Sequence, residues 1–281
     1  MHPVVVRLRR AFWRAFIHGQ FSIAKAAAYS SILTLFPAFL VLTSFLEASH
    51  TTAGFLRQIS AAVGWALPPG ANSVALSFLQ SKQHHATRIV YSASVVTLMA
   101  ATGVMISWME GFRKAYGLRE TWSFWTEHAV AISLVFLAMM PLGFATLLVV
   151  FGNQIEFWLQ YRAAHMIKPL ILLLWLLGRW TIAILTSIAV MALIYHNAIP
   201  KTQSWRRVLP GAVMATLLWF SSTVLFGWYV THYATYSAVY GSLSAAIALL
   251  VWLYIVSMIV LLGAEFNAQV YPKNGASNLA K

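Results

Sequence analysis

The chain has 281 residues, 60% hydrophobic and only 9% charged, with a mean hydropathy of +0.73. Soluble domains carry about 25% charged residues, so these polar groups cannot cover a water-soluble globule, and lipid must be part of the solvent. Nineteen Lys and Arg stand against six acids, all glutamate, for a net charge of +13; in so apolar a chain the excess reads as Lys and Arg kept in cytoplasmic loops and not as nucleic-acid binding.

Residues 1–25 read as a cytoplasmic amphipathic helix. Arg7, Arg10, Arg14 and His18 share one helical face, and Val5, Leu8, Phe12 and Phe16 the other, with Arg9 intruding. Such a helix lies on the inner leaflet with its basic face toward anionic lipid; the sharper alternative is a specific lipid or partner site. Residues 26–270 read as a membrane domain of six spans, about 26–46, 89–109, 129–151, 172–195, 208–230 and 243–264, each near the 20 apolar residues a crossing needs. The apolar core of the first span is too long for a signal peptide, and no convincing cleavage site follows. Residues 271–281 are a short cytoplasmic tail.

Within the first span, Pro37 removes a backbone donor. The polar run from Tyr29 to Thr34 lies just before it. Its hydroxyls either satisfy carbonyls freed by a kink or line a cavity. Between the first two spans, Leu56, Ile59 and Val63, the break at Pro68-Pro69-Gly70, and then Leu76 and Leu79 predict an outer helical hairpin. It is a passive cap or a gate. The second span carries Ala93, Thr97 and Ala101 four apart, a small-residue face suited to close helix contact. Pro141 interrupts the third.

Arg179 lies inside the fourth apolar run, where a charge costs about 2.5–3.5 kcal/mol at the bilayer centre. Either it faces a cavity, or the span begins near it while residues 169–178 lie along the outer interface and Arg179 snorkels. The link between the last two spans has no Lys, Arg or Glu and carries Tyr229, Tyr233, Tyr236 and Tyr240 on one helical face. These form an aromatic belt or line an entry path. Glu110 and Glu265 end the second and sixth spans. With Asn267 and Gln269 they outline a polar cluster at the inner mouth, unless nearby Arg113, Lys114 or Arg207 simply pairs with the acids. With the N-terminus inside, 13 of the 19 Lys and Arg fall in inner segments and 5 in outer ones, which puts both termini in the cytoplasm.

Enzyme signatures are sparse. There is no phosphate loop, HExxH or GxSxG, and His84-His85 lacks further ligands at metal spacing. Without cysteine there is no disulfide or thiolate catalyst. No cofactor is expected.

Several stretches together resemble the YihY/BrkB family of membrane proteins. They are Ala26-Ala27-Ala28-Tyr29 leading to Leu35-Phe36-Pro37, the run from Phe112 to Gly117, Arg179-Trp180, and Tyr195 leading to Pro200. The strongest lie toward the end: Leu209-Pro210-Gly211-Ala212, then Thr235 to Leu243, Leu250 to Tyr254, and Leu262 to Ala268. Lys25, Ser30 and Gln269 depart from the family pattern; Gln269 stands where an acid is common, which argues against a titrating carboxylate pair there. The resemblance implies an all-α bacterial inner-membrane protein with six spans. It also suggests envelope lipid handling, although relatives have carried a ribonuclease label. The expected function is a non-enzymatic transporter or flippase acting on a lipid or amphiphile, with Arg179 drawing an anionic headgroup. The alternative is a scaffold for envelope assembly. Membrane lipids are the expected partners, with self-association or an envelope protein as further possibilities.

Overall fold

In hydrocarbon a backbone amide has no water to bond, so a crossing segment must satisfy its own hydrogen bonds as a helix. The computed structural model describes residues 3–48, 87–119, 122–141, 143, 168–200, 203–232 and 243–270. Their regular structure is helical: α1 (Pro3–Ile17), α2 (Gln20–Ala48), α3 (Thr87–Ala115), α4 (Phe124–Pro141), α5 (Lys168–Asn197), α6 (Trp205–His232) and α7 (Ser244–Val270). The six helices from α2 to α7 are each long and apolar enough to cross a bilayer. The protein is an all-α integral membrane protein.

α7 is the axis of the bundle. It packs against α6, α2, α1 and α3, while α2 makes its broadest contact with α3, and α5 packs on α6. Half of the most apolar stretch of α7 is buried inside the protein, against at most 28% in any other span. Small residues allow this: Gly211 of α6 meets Gly263 of α7 backbone to backbone, and the Ala215 methyl also lies against Gly263.

Three helices run six residues past an expected end. α2 starts at Gln20 instead of residue 26, α3 continues to Ala115 instead of 109, and α7 to Val270 instead of 264. Hydropathy marks where lipid starts, whereas these extra turns are more polar and are covered by protein.

α1 is a 15-residue helix that packs on α7. Its strip toward the bundle is Ala11 and Ala15, both fully buried, and not the large apolar residues. Phe12, Trp13, Phe16 and Ile17 are exposed, as are Arg7, Arg10 and Arg14. Two alanines one turn apart permit close approach to α7, which leaves the aromatics facing outward.

α2 continues through Pro37. Ser31 donates to Ala27 O and Thr34 to Ser30 O, each at 2.8 Å. The carbonyl that Pro37 deprives of an amide is that of Leu33, so neither hydroxyl repairs the proline gap. α5 is likewise one helix from Lys168 to Asn197. The alternative in which the span begins near Arg179, with residues 169–178 lying flat, does not occur. The outer hairpin, the later half of the third span beyond residue 143, Tyr233, Tyr236, Tyr240 and the tail fall outside the described residues.

Candidate functional site

One end of the bundle gathers a buried polar cluster. It is built from the N-terminal ends of α2 and α6 and the C-terminal ends of α3, α5 and α7. Two glycines shape the approach. Gly19, at φ +68°, lets the chain turn from α1 into α2, with its amide bonded to Phe16 O at 3.1 Å. Gly117, at φ +61°, closes α3, with Leu118 N reaching back to Arg113 O at 2.9 Å. A side chain at either position would strain the backbone.

Glu265 sits at the centre and is 0% exposed. One of its oxygens, Oε1, lies 2.6 Å from His18 Nδ1 and accepts from Gln20 Nε2 at 3.0 Å. The other, Oε2, is buried with no hydrogen-bond partner among the described residues. Among the described residues, no Lys or Arg comes within ion-pair distance of Glu265. Gln20 also donates to Gly111 O at 2.9 Å, so one amide ties α2, α3 and α7 together. Its own Oε1 is buried without a donor among the described residues.

Asn267 occupies the neighbouring position. Its side chain accepts from Gly211 N at 2.6 Å and donates to Val208 O at 3.0 Å. These are the two sides of Pro210, which has no amide to give. Tyr116, just past α3, places its buried hydroxyl beside Asn267 without good hydrogen-bond alignment. Burial pushes the Tyr116 phenol well above its ordinary range. The Asn267 contact lowers it, and the nearby Glu265 charge raises it further. Tyr116 is therefore a neutral phenol at any physiological pH.

Tyr195 of α5 completes the floor. Fully buried, it donates to Val260 O at 2.7 Å and stands edge-on to Phe112 at 5.2 Å. Tyr195→Phe keeps the ring contact and deletes the donor. It should cost about 1–2 kcal/mol, read as a lower melting temperature in detergent. An unchanged melt would show that Val260 O finds another donor.

The sequence-expected site residues divide between places. Glu265 and Asn267 are in this cluster, and Gln269, two residues on, has a buried Nε2 with no partner among the described residues. Glu110 is not: it is about half exposed and pairs with Lys114 one turn away at 2.8 Å. The next residue, Gly111, is the one whose carbonyl serves the cluster. Arg113 pairs with Glu127 and joins α3 to α4. Arg179 is partly exposed, and Trp180 beside it packs against Phe220 at 6.4 Å. Sixteen residues of unbroken helix, about 24 Å, separate Arg179 from Tyr195, so Arg179 belongs to the opposite end of the bundle. Tyr29 and Tyr229 are both exposed and stand outside the cluster.

His18, Gln20, Gly111, Tyr116 and Tyr195 were not singled out for the cluster by spacing. Phe112 to Gly117, Tyr195, Leu209 to Ala212 and Leu262 to Ala268 are, however, among the stretches that carry the family resemblance, and they converge on this one end.

The family described as virulence factor BrkB matches residues 12–280. The chain belongs to the BrkB family. It is 30% identical over 273 residues to the putative ribonuclease-like protein YfkH of Bacillus subtilis, covering 95% of each chain. It is 25% identical to a UPF0761 membrane protein of Nitrosospira multiformis over 96% of this chain and 60% of that one. A UPF0761 membrane protein of Tolumonas auensis is 39% identical over 77 residues, 27% of this chain and 26% of its own. This BrkB-family chain thus spans nearly all of YfkH but under two thirds of the Nitrosospira relative. No solved structure matches it.

Proposed function

We propose that this BrkB-family protein is a non-enzymatic, flippase-like protein of the bacterial inner membrane, with both termini in the cytoplasm, that carries a lipid or other amphiphile between leaflets. The observation that carries this reading is the seam between α2 and α3. Gln20, Ala27, Ser30 and Thr34 follow one another at helical spacing on α2. Gly111 of α3 abuts Gln20, and Gly103 abuts Ser30. Ser107 and Thr97 extend the α3 side.

These hydroxyls donate to carbonyls one turn back in their own helices: Thr34 to Ser30 O, Thr97 to Ala93 O and Ser107 to Gly103 O, at 2.7–2.9 Å. Each of these three donors is satisfied within its own helix and each oxygen keeps lone pairs, so at these positions the seam can part without orphaning a donor; Gln20, which donates to Gly111 O, ties its end. A headgroup passing along it would find acceptors and no fixed charge. Arg179, near the far end of the bundle, would attract an anionic headgroup there.

The ribonuclease-like wording of YfkH is not carried to this chain. The carboxylate at the cluster is 0% exposed and cannot touch an RNA phosphodiester. The test is reconstitution into vesicles holding a fluorescent phospholipid, with an impermeant quencher added outside. The protein should expose inner-leaflet label faster than protein-free vesicles, and Arg179→Ala should slow anionic lipid more than zwitterionic lipid. Rates equal to protein-free vesicles would defeat the transport reading; equal rates for wild type and Arg179→Ala would remove Arg179 from the path.

A further inference from the structure

α1 carries three strips of different chemistry. Successive residues turn by about 100°. With Ala11 and Ala15 fully buried toward the bundle, Phe12 and Phe16 fall on one flank and Arg7, Arg10 and Arg14 on the other. Trp13, opposite the alanines, stacks on Phe16 at 6.0 Å. The three aromatics are each more than half exposed, and the three arginines are exposed as well. Arg9 intrudes among the aromatics, where its long stem lets the charge snorkel outward.

A helix lying in the membrane plane beside a bundle has three surroundings. Protein is on one side, acyl chains are below, and headgroups and water are above. The three strips match them. The aromatic flank is the one turned toward the acyl chains. Phe12 and Phe16 both meet Phe21 edge-on, at 5.9 and 6.0 Å, and Phe21 lies in the first turn of α2 as it enters its span. The depth is also right. Trp125 and Trp205, both exposed, begin α4 and α6 at this same end, which the Arg113–Glu127 pair and the Gly211–Asn267 bond join to the cluster. Exposed tryptophans at one end of several spans mark a membrane interface.

The charge selects the kind of lipid. The described glutamates of this end are engaged: Glu110 with Lys114, Glu127 with Arg113, and Glu265 with His18. Among the described residues none pairs with an arginine of α1, which has no acid of its own. We infer that α1 is an in-plane anchor whose arginine flank binds the headgroups of anionic phospholipids in the leaflet at this end, while its aromatic flank enters the acyl chains. An acidic protein would satisfy the arginines and leave the aromatic flank in water; a membrane covers both at once. The inference goes beyond the transport reading and does not rest on it, since a protein that moves no lipid would still carry this surface.

The chain has no native cysteine, so one fluorophore can be placed on Phe16→Cys or on Arg10→Cys in the full-length protein. In nanodiscs of phosphatidylcholine and phosphatidylglycerol, the label at 16 should be quenched by lipids brominated on the acyl chain and shielded from an aqueous quencher. The label at 10 should show the reverse. Two labels open to water, as on a surface awaiting a soluble partner, two shielded labels, as under a second copy, or the opposite pattern would each overturn the inference. The lipid class is read separately. Extracted from the same mixture, wild type should retain phosphatidylglycerol over phosphatidylcholine. Arg7→Gln, Arg10→Gln and Arg14→Gln together should cut that preference about fivefold or more, and added salt should cut it in wild type. An unchanged preference in the triple variant removes the headgroup site. If that variant does not fold, a wild-type preference indifferent to salt removes it instead.

Discussion

Gly211→Ala should destabilise the bundle by about 3–5 kcal/mol. A Cβ at this position would run into the carbonyl oxygen of Gly263 and the amide of Asn267. The first obstacle is backbone and cannot rotate away. The second moves only by giving up the Gly211 N and Val208 O bonds, which leaves both buried groups unpaired. Overpacking and orphaned hydrogen-bonding groups therefore add. Gly178 is the control: nothing lies within 4 Å of a Cβ there, so Gly178→Ala should be neutral or slightly stabilising through helix propensity. Thermal or denaturant melts in detergent should separate the two variants widely. Coincident melts would mean that α6 and α7 are not in backbone contact.

The second large effect is functional. Beside the seam, Ser30 Cβ lies 3.6 Å from a Cβ placed on Gly103, within the 3.5–4.5 Å that a disulfide needs. The chain contains no cysteine, so Ser30→Cys with Gly103→Cys gives one defined crosslink. Oxidation should bring lipid movement down to near the protein-free background, and a reductant should restore it. The single-cysteine variants, treated alike, should keep their rates. Gly103→Cys should be tolerated, because a side chain there meets only Ser30, at 3.2 Å or more. A protein shown to be fully crosslinked yet moving lipid at its reduced rate would close this seam as a route.

Much of the architecture is legible in the sequence because lipid imposes a blunt rule. Every crossing must be a long apolar helix, and six such runs are visible by length alone. The cluster is harder to read. Glu265 and Asn267 are exceptions to an apolar pattern, so they stand out. Gln20 and His18 do not: each is one polar residue among several in a basic stretch, and only the turn at Gly19 swings both onto Glu265, about 245 residues away in sequence. Glu110 misleads for a related reason. Proximity to a span end cannot say which side of a helix faces the protein, and one step of 100° puts Gly111 inside and Glu110 in solvent. The extended ends of α2, α3 and α7 are missed because hydropathy reports burial in lipid, not burial in protein.

The central position of α7 bears on how the protein is made. Spans emerge from the ribosome in chain order, yet the helix that α1, α2, α3 and α6 all contact is the last of those described. Until it is inserted, Gln20 lacks Glu265, the chain on either side of Pro210 lacks Asn267, and Gly211 has no partner backbone. The earlier helices can pair, α2 with α3 and α5 with α6, but these pairs wait in the bilayer for the helix that joins them. Premature termination before α7 would leave membrane-inserted helix pairs with no helix to join them, a natural substrate for membrane quality-control proteolysis.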